Sequence, residues 1–544
     1  MNIDANTMTA RNEQAFAQYA DRIALHHLGR DWTYAELDRW SAQVAVWLRD
    51  RGLRPGERVA MALPNSAEYV ACYLGALRAG GVVVALNPDT TARELGDTLA
   101  HCEASAAVVA PQCEGPFQEA LPRLETVRIV LSTRADGTKP PLSGVQCLNL
   151  GEIGTWPNEA VQPHQAAPSD VAQIIYTSGT SGRPKGVTLT QRNLAANCDS
   201  IIEYLGLSKH DSVFVILPFF YSYGNSLLIT HLAVGGKLVL TSDFVFWNRA
   251  LDLMEQQRTT GFAGVPSSYA MLLHKSNFAQ RAWHDLRYVT CAGGGLAPAV
   301  VERLRVAAPK AQIYLMYGQT EATARLSSLM PDEIDRRPGS IGKGIPGVTL
   351  EVLDDDGRPV APSQTGEIVA LGENIMLGYW NDHEETRRVI RADGLHTGDL
   401  ARVDDDGYVY IVGRKSDMIK SGAYRINPAQ IEEIILEMEG VAEVAVVGLP
   451  DEILGEVPIA LVVPTAQATG LAAEQILRYA NEGLPRHKAI RSVRLVAALE
   501  KTASGKIKRS EMRRIAREAM EQAAIGPTLN TPADCTTKQL WPAS

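Results

Sequence analysis

The chain has 544 residues, with 53 basic against 62 acidic side chains and a net charge of −9. Apolar residues make up 45% and charged residues 21%, an ordinary globular balance that excludes a disordered or fibrous chain. The mild acidity argues against a nucleic-acid partner, and no apolar run approaches the roughly 20 residues that span a bilayer.

Taken in chain order, the sequence alternates helical and strand patterns up to about residue 400. Thr33 and Glu36 form a capping box ahead of a helix through Leu37, Trp40 and Val44. Strands are predicted at 58–63 and 82–86, with a helix between them that opens on a second box, Asn65 to Glu68, and ends at Gly80–Gly81. Further strands are expected near 106–110, 172–177, 212–217, 237–241, 288–292 and 313–317. Several are continuously apolar, as strands covered on both faces are. From about 345 to 412 short alternating strands joined by DDDG turns predict an antiparallel β unit or small barrel. After Lys415 a compact α+β unit begins, with Asn427 as N-cap, Pro428 at the first helical position and Gln430 completing a box. Its helix carries Ile431, Ile434, Ile435 and Met438 on one face. From about 516 periodicity fades and a flexible tail is expected. The fold class is therefore α/β. A large N-terminal domain (1–415) holds α/β subdomains and a small β unit, and a smaller, mobile α+β domain (416–515) follows. Seven scattered cysteines (Cys72, Cys102, Cys113, Cys147, Cys198, Cys291, Cys535) form no CxxC pair. They predict reduced thiols in a cytoplasmic protein, and the first residues lack a secretory-signal pattern.

The segment from Ile175 to Val187 carries the strongest chemical signal. An apolar strand runs into Thr177-Ser178-Gly179-Thr180-Ser181-Gly182-Arg183-Pro184-Lys185-Gly186. Glycines let backbone N–H groups approach an anion, the hydroxyls add donors, and Lys185 with Arg183 adds charge for a polyphosphate. The spacing is not that of GxxxxGK[ST], because Gly179 stands six residues before Lys185, which Gly186 follows.

This loop resembles the phosphate-binding signature of the AMP-forming adenylating superfamily, which includes acyl-CoA synthetases, adenylation domains of peptide synthetases and firefly-type luciferases. The resemblance continues in family order from about Thr33 to Arg509. It includes Tyr317-Gly318-Gln319-Thr320-Glu321, Thr397-Gly398-Asp399, Gly413-Arg414-Lys415-Ser416-Asp417-Met418-Ile419-Lys420 and Thr502-Ala503-Ser504-Gly505-Lys506-Ile507. It implies ATP- and Mg²⁺-dependent activation of a carboxylic acid to an acyl-adenylate with release of pyrophosphate, then acyl transfer to coenzyme A. Attack of one anion on another needs positioning and charge neutralisation more than covalent help.

Residue roles follow from the resemblance. Lys185, Glu321 and Lys506 are expected to be catalytic. Glu321 and Thr177 would hold the Mg²⁺, which accepts one or two carboxylates alongside phosphate and water. Nucleotide contacts are expected from Thr177, Ser178, Gly179, Thr180, Ser181, Gly182, Lys185, Tyr317, Gly318, Thr320 and Lys506. Asp399 and Arg414 suit the ribose, and Gly293, Gly294 and Gly295 can admit the adenine. Lys506 would stabilise charge developing in the transition state, with Lys501 and Lys508 as neighbouring cations that its spacing from Gly505 sets aside. In the family the small domain rotates between two half-reactions about a pivot that matches Ser416.

The stretch Leu217 to Ser226 resembles the family's acyl-pocket motif. It offers Tyr221, Ser222, Tyr223 and Asn225, with Val265, Pro266 and Met316 as further walls. No aspartate lies between 211 and 243 to receive a substrate ammonium, so a hydrophobic, cyclic or aryl acid is expected rather than an α-amino acid. Ala423 replaces the glycine usual beside the pantetheine channel. An amine acceptor (an amide synthetase) and a carrier-protein pantetheine therefore stand as alternatives to coenzyme A. The partners expected are these small molecules, with no nucleic acid and no membrane span, and a homodimer is compatible with the reading.

Overall fold

A computed structural model describes residues 6–134, 146–150, 162–178, 184–241, 246–422, 424–465, 468, 470–485, 488–501 and 507–524. The chain divides into two compact units, Met1–Val412 and Gly413–Ser544. No helix among the described residues is long and apolar enough to cross a membrane. Described cysteines such as Cys72, Cys198 and Cys291 are buried free thiols.

Two large sheets dominate the first unit, as the continuous apolar runs predict. One has eight strands among the described residues. Its parallel section contains Arg58–Ala62, Val82–Leu86, Ala104–Val109, Ile129–Ser132 and Val171–Ser178. Pro184–Thr190 folds back antiparallel on Val171–Ser178 and is itself paired by Gly378–Tyr379. The other sheet has nine strands among the described residues. Ile23–His27, Lys237–Leu240, Ser212–Val215, Gly261–Gly264, Tyr288–Cys291 and Gln312–Tyr317 run parallel within it. One continuous apolar core reaches residues of both sheets, among them Val59, Val84, Val213 and Leu238, all fully buried. An antiparallel ladder of Val348–Leu353, Thr365–Gly372 and Gly394–Val403 forms the predicted β unit.

The second unit is α+β. Val441–Asp451 and Gly455–Pro464 form a long antiparallel pair, and Ser492–Leu495 lies parallel to the latter. The helix Pro428–Leu436 packs Ile431 and Ile435 into its core.

Three local expectations are corrected. Thr33 and Glu36 do close a capping box on the helix Tyr34–Asp50. The next helix, Ala67–Arg78, is capped by Ser66 rather than by Asn65. Asn65 is spent elsewhere: its Nδ2 donates to Leu217 O at 2.9 Å and its Oδ1 accepts from Phe219 N at 2.8 Å. A turn with two otherwise orphaned backbone groups outcompeted the helix end for this amide. Asn427 caps its helix alone through Ala429 N, because Gln430 accepts from Lys488 Nζ at 2.7 Å. The chain beyond 516 does not fray at once. The helix Arg509–Ala524 continues, since Met512 and Ala516 are buried and Glu, Ala, Met and Gln are good helix formers.

A buried histidine makes the fold sensitive to acid. His231 is almost wholly buried on the helix Ser222–Ala233. Its Nδ1 faces Leu227 O at 3.0 Å and its Nε2 faces Tyr288 OH at 2.7 Å. A carbonyl can only accept, so Nδ1 carries the proton and the tyrosine donates to Nε2. Gly261 makes room for that tyrosine, since a Cβ there would lie 2.1 Å from Tyr288 Cζ. Burial pushes the His231 pKa down to about 4. The unfolded chain takes up this proton near pH 6.5 and the folded chain does not until about pH 4. Stability is therefore expected to fall across that window, by about 3 kcal/mol from this residue. Urea midpoints at pH 7.5 and 4.5 check this, and His231→Gln should show a smaller difference between them.

Candidate active site

The site is built at the carboxyl ends of the parallel strands, where open α/β sheets bind ligands. Thr177 and Ser178 end one strand, Val265 follows Gly261–Gly264, Gly293 follows Tyr288–Cys291, and Gly318 follows Gln312–Tyr317. Strand order thus gathers residues more than 100 positions apart.

Thr177 pairs with Lys185 across the hairpin of Val171–Ser178 and Pro184–Thr190. The connecting Gly179, Thr180, Ser181, Gly182 and Arg183 lie outside the described residues, as does the side chain of Ser178. Lys185 Nζ donates to Glu385 Oε1 at 2.6 Å, with both side chains mostly buried. The ammonium also lies 5.1 Å from the centre of the Tyr379 ring. The hydroxyl of that same tyrosine donates to Glu321 Oε1 at 2.8 Å. Burial, and then the neighbouring Glu321 carboxylate, push the Tyr379 pKa up, so its hydroxyl stays a donor. Backbone bonds brace this arrangement: Met376 N donates to Glu321 O, Leu377 N to Thr188 O and Trp380 N to Gly186 O. One short segment, 376–380, therefore ties the predicted cation and the predicted carboxylate together.

Glu321 sits in the turn Thr320–Ala322, followed by Thr323 at φ +65°. A β-branched residue there is strained, and Thr323 Oγ1 offsets part of the cost by donating to Asn374 O at 2.7 Å. Glu321 Oε2 and Thr177 Oγ1 take part in no hydrogen bond among the described residues. A half-buried carboxylate oxygen and a hydroxyl are a hard donor set that fits Mg²⁺ alongside phosphate and water.

Tyr317 OH donates to Asp399 Oδ2 at 2.6 Å, and Asp399 is 4% exposed. Asp399 N donates to Thr397 Oγ1 at 3.2 Å, which fixes the start of the carboxylate's approach. Thr320 Oγ1 lies 3.3 Å from Ser222 Oγ at the start of the helix Ser222–Ala233, for which Tyr221 is the N-cap. Burial raises the Tyr221 pKa. Gly293 and Gly294 lie against Val265 and Pro266: a Cβ on either would sit 3.4 Å from Val265 Cγ1 or 3.3 Å from Pro266 Cγ, and one on Gly295 would meet nothing.

The predicted acyl-pocket residues divide. Tyr223 OH bonds Thr290 O and Oγ1 at 2.9 and 2.8 Å, and Met316 Sδ lies 2.9 Å from Tyr204 OH. Asn225 is not brought to them. Its Nδ2 donates to Gln173 Oε1 at 3.0 Å, which also accepts from Tyr73 OH, so it belongs to a buried polar knot on another side of the helix. Phe219 is wholly buried against Tyr69 and fills the core. Three residues of the site escaped the sequence reading: Tyr379, Glu385 and Arg325. Tyr379 and Glu385 fall in a stretch, GYWNDHEE, that matches none of the chemical motifs read from the sequence. Arg325 is a lone cation that sequence places by default on the surface.

In the second unit, Arg414 ends the strand Val409–Arg414 and Ser416 Oγ lies 3.4 Å from Asp417 Oδ1. Ala423 and Lys506 lie outside the described residues. Their flanks are described. Lys501 pairs across the chain with Ile507 and its Nζ lies 2.6 Å from Glu443 Oε2. Arg509 is held by Glu432 at 2.7 Å and by Asp417 at 3.3 Å. The neighbouring cation Lys501 is thus already engaged.

Comparison with known proteins gives a consistent result. The AMP-binding enzyme pattern matches residues 12–380, and the AMP-binding enzyme C-terminal domain matches residues 430–506. The chain is 30% identical to an oxalate–CoA ligase of Arabidopsis thaliana, over 93% of this chain and 98% of the relative. It is 33% identical to a feruloyl-CoA synthase of Amycolatopsis, over 90% and 95%. Among solved structures, ATP-bound MatB from Rhodopseudomonas palustris superposes with a TM-score of 0.84 at 29% identity, covering 94% of this chain and 99% of that one. The o-succinylbenzoate CoA synthetase MenE of Bacillus subtilis, in complex with its acyl-adenylate OSB-AMP, gives 0.81 at 26% identity, covering 92% and 97%.

Proposed function

Because the chain belongs to the AMP-binding enzyme family and is an acid–CoA ligase that works through an acyl-adenylate, we propose that the acid it activates is hydrophobic, cyclic or aryl in skeleton. The wall offered by Tyr223 and Met316, which share one apolar cluster, supports this, together with the absence of any aspartate from 212 to 242. The relatives' own acids, oxalate and ferulate among their names, differ too widely to choose for it.

The observation that carries the mechanism is the Tyr379 bridge between Lys185 and Glu321. Lys185 neutralises the polyphosphate, and Glu385 holds its ammonium in place until phosphate oxygens replace the carboxylate. Glu321 and Thr177 would hold Mg²⁺, which would supply charge neutralisation at the phosphates. Asp399, oriented by Tyr317, accepts from the ribose hydroxyls, and Arg414 donates to the same sugar. Gly293 to Gly295 border the adenine. Lys506 supplies the second cation, spreading the charge that develops as the acid's carboxylate displaces pyrophosphate from the α-phosphate. Coenzyme A thiol then attacks the acyl carbon, and AMP leaves.

A panel of aryl, alicyclic and aliphatic acids tests the reading by pyrophosphate release, with coenzyme A alone, amines alone, and both. Thioester formation from an aryl or alicyclic acid at ordinary turnover is the expected outcome. Amide formation without thioester would reassign the acceptor. Preference for short aliphatic acids would overturn the proposed acid.

A further inference from the structure

Arg325 is buried at 3% exposure, yet it forms no ion pair among the described residues. Its guanidinium carbon stands 3.9 Å above the Tyr223 ring, Nε donates to Met316 Sδ at 3.3 Å, and Nη1 donates to Ala324 O at 3.1 Å. None of these partners carries a full negative charge. A guanidinium taken out of water costs several kcal/mol unless a carboxylate or phosphate answers it. The cation has little freedom to leave. Its carbonyl accepts from Asn197 Nδ2 at 3.1 Å and Asn374 Nδ2 at 2.8 Å, and Leu326 N donates to Tyr317 O. The backbone is thus pinned on both sides of the strained Thr323 turn. Tyr223 and Met316, which hold the guanidinium, are two of the proposed acyl-pocket walls.

We infer that Arg325 is a specificity residue for a second anionic group on the acid, a carboxylate remote from the one that is activated. This rests on the reading of Tyr223 and Met316 as pocket walls, and it narrows the acid to an aryl or cyclic skeleton bearing two acidic groups. The fork of a guanidinium matches a carboxylate through two parallel N–H bonds, which gives orientation as well as charge. Seated on Arg325, the distal carboxylate fixes which end of the substrate meets the α-phosphate.

The test uses the full chain and matched acids: isophthalate against benzoate, homophthalate against phenylacetate, and glutarate against butyrate, read as acid-dependent pyrophosphate exchange. The wild type should favour the diacid of at least one aryl pair at least tenfold in kcat/KM. Arg325→Met keeps length and apolar bulk and removes the charge. It should lose roughly 100-fold on the diacid while the monoacid holds or improves. Arg325→Lys should recover part of the loss. A wild type that favours the monoacid in every pair overturns the inference and leaves adenylation standing, whether or not the variants fold. Equal loss on both acids in Arg325→Met overturns it too, as the mark of a structural cation. Exchange with no acid at all would overturn the functional reading on which it rests.

Discussion

Lys506→Ala is expected to lower acid-dependent exchange of pyrophosphate into ATP by about two to three orders of magnitude. The argument is electrostatic. The acid's carboxylate and the α-phosphate are both anionic, and the charge between them grows in the transition state. A point ammonium set against that charge does most of its work there and little in the ground state. ATP affinity measured by calorimetry should therefore change only a few-fold. The neighbouring lysine provides the control. Lys501 is about 40% exposed and paired with Glu443, so Lys501→Ala should cost about 1 kcal/mol at most and leave exchange within a few-fold. The reverse ranking of the two variants would move the catalytic assignment from Lys506 to Lys501.

Gly318→Ala should damage both the fold and the chemistry. A Cβ on Gly318 would lie 2.1 Å from Ala324 O, a backbone atom with no rotamer by which to yield. Relief requires the strand end and the 322–325 turn to part, at a cost of about 3 kcal/mol. That turn carries Glu321 on one side and Arg325 on the other, and its register depends on the bond from Leu326 N to Tyr317 O. Melting temperature and exchange rate should fall together in this variant. Gly295→Ala is the matched control: its Cβ meets nothing within 4 Å among the described residues, and the melting temperature should hardly move. An unchanged Gly318→Ala enzyme would show that the turn can open without consequence and that its tightness is not what positions Glu321.

The motifs were legible because each is short, local in sequence and chemically unusual. A hydroxyl- and glycine-rich loop ahead of Lys185, or Glu321 inside YGQTE, needs no neighbour to be noticed. Strand positions were legible for a related reason: sheets covered on both faces demand continuous apolar runs such as Val82–Leu86. Cap residues were legible only where nothing competed. Thr33 and Glu36 found each other, whereas Asn65 and Gln430 were claimed by partners 152 and 58 positions away.

By itself, the sequence determined the α/β class, the order of the chemical motifs and the membership of an adenylate-forming family, because these depend on periodicity and on local residue type. Tertiary structure alone decided that Tyr379 joins Lys185 to Glu321, that Glu385 holds the ammonium, that Asn225 turns to Gln173 and that Arg325 is buried with no carboxylate partner among the described residues. Each is a contact between segments about 50 or more positions apart, or a burial set by them. Side-chain partners at that range follow from strand order and strand-end geometry, which no local pattern of residues encodes.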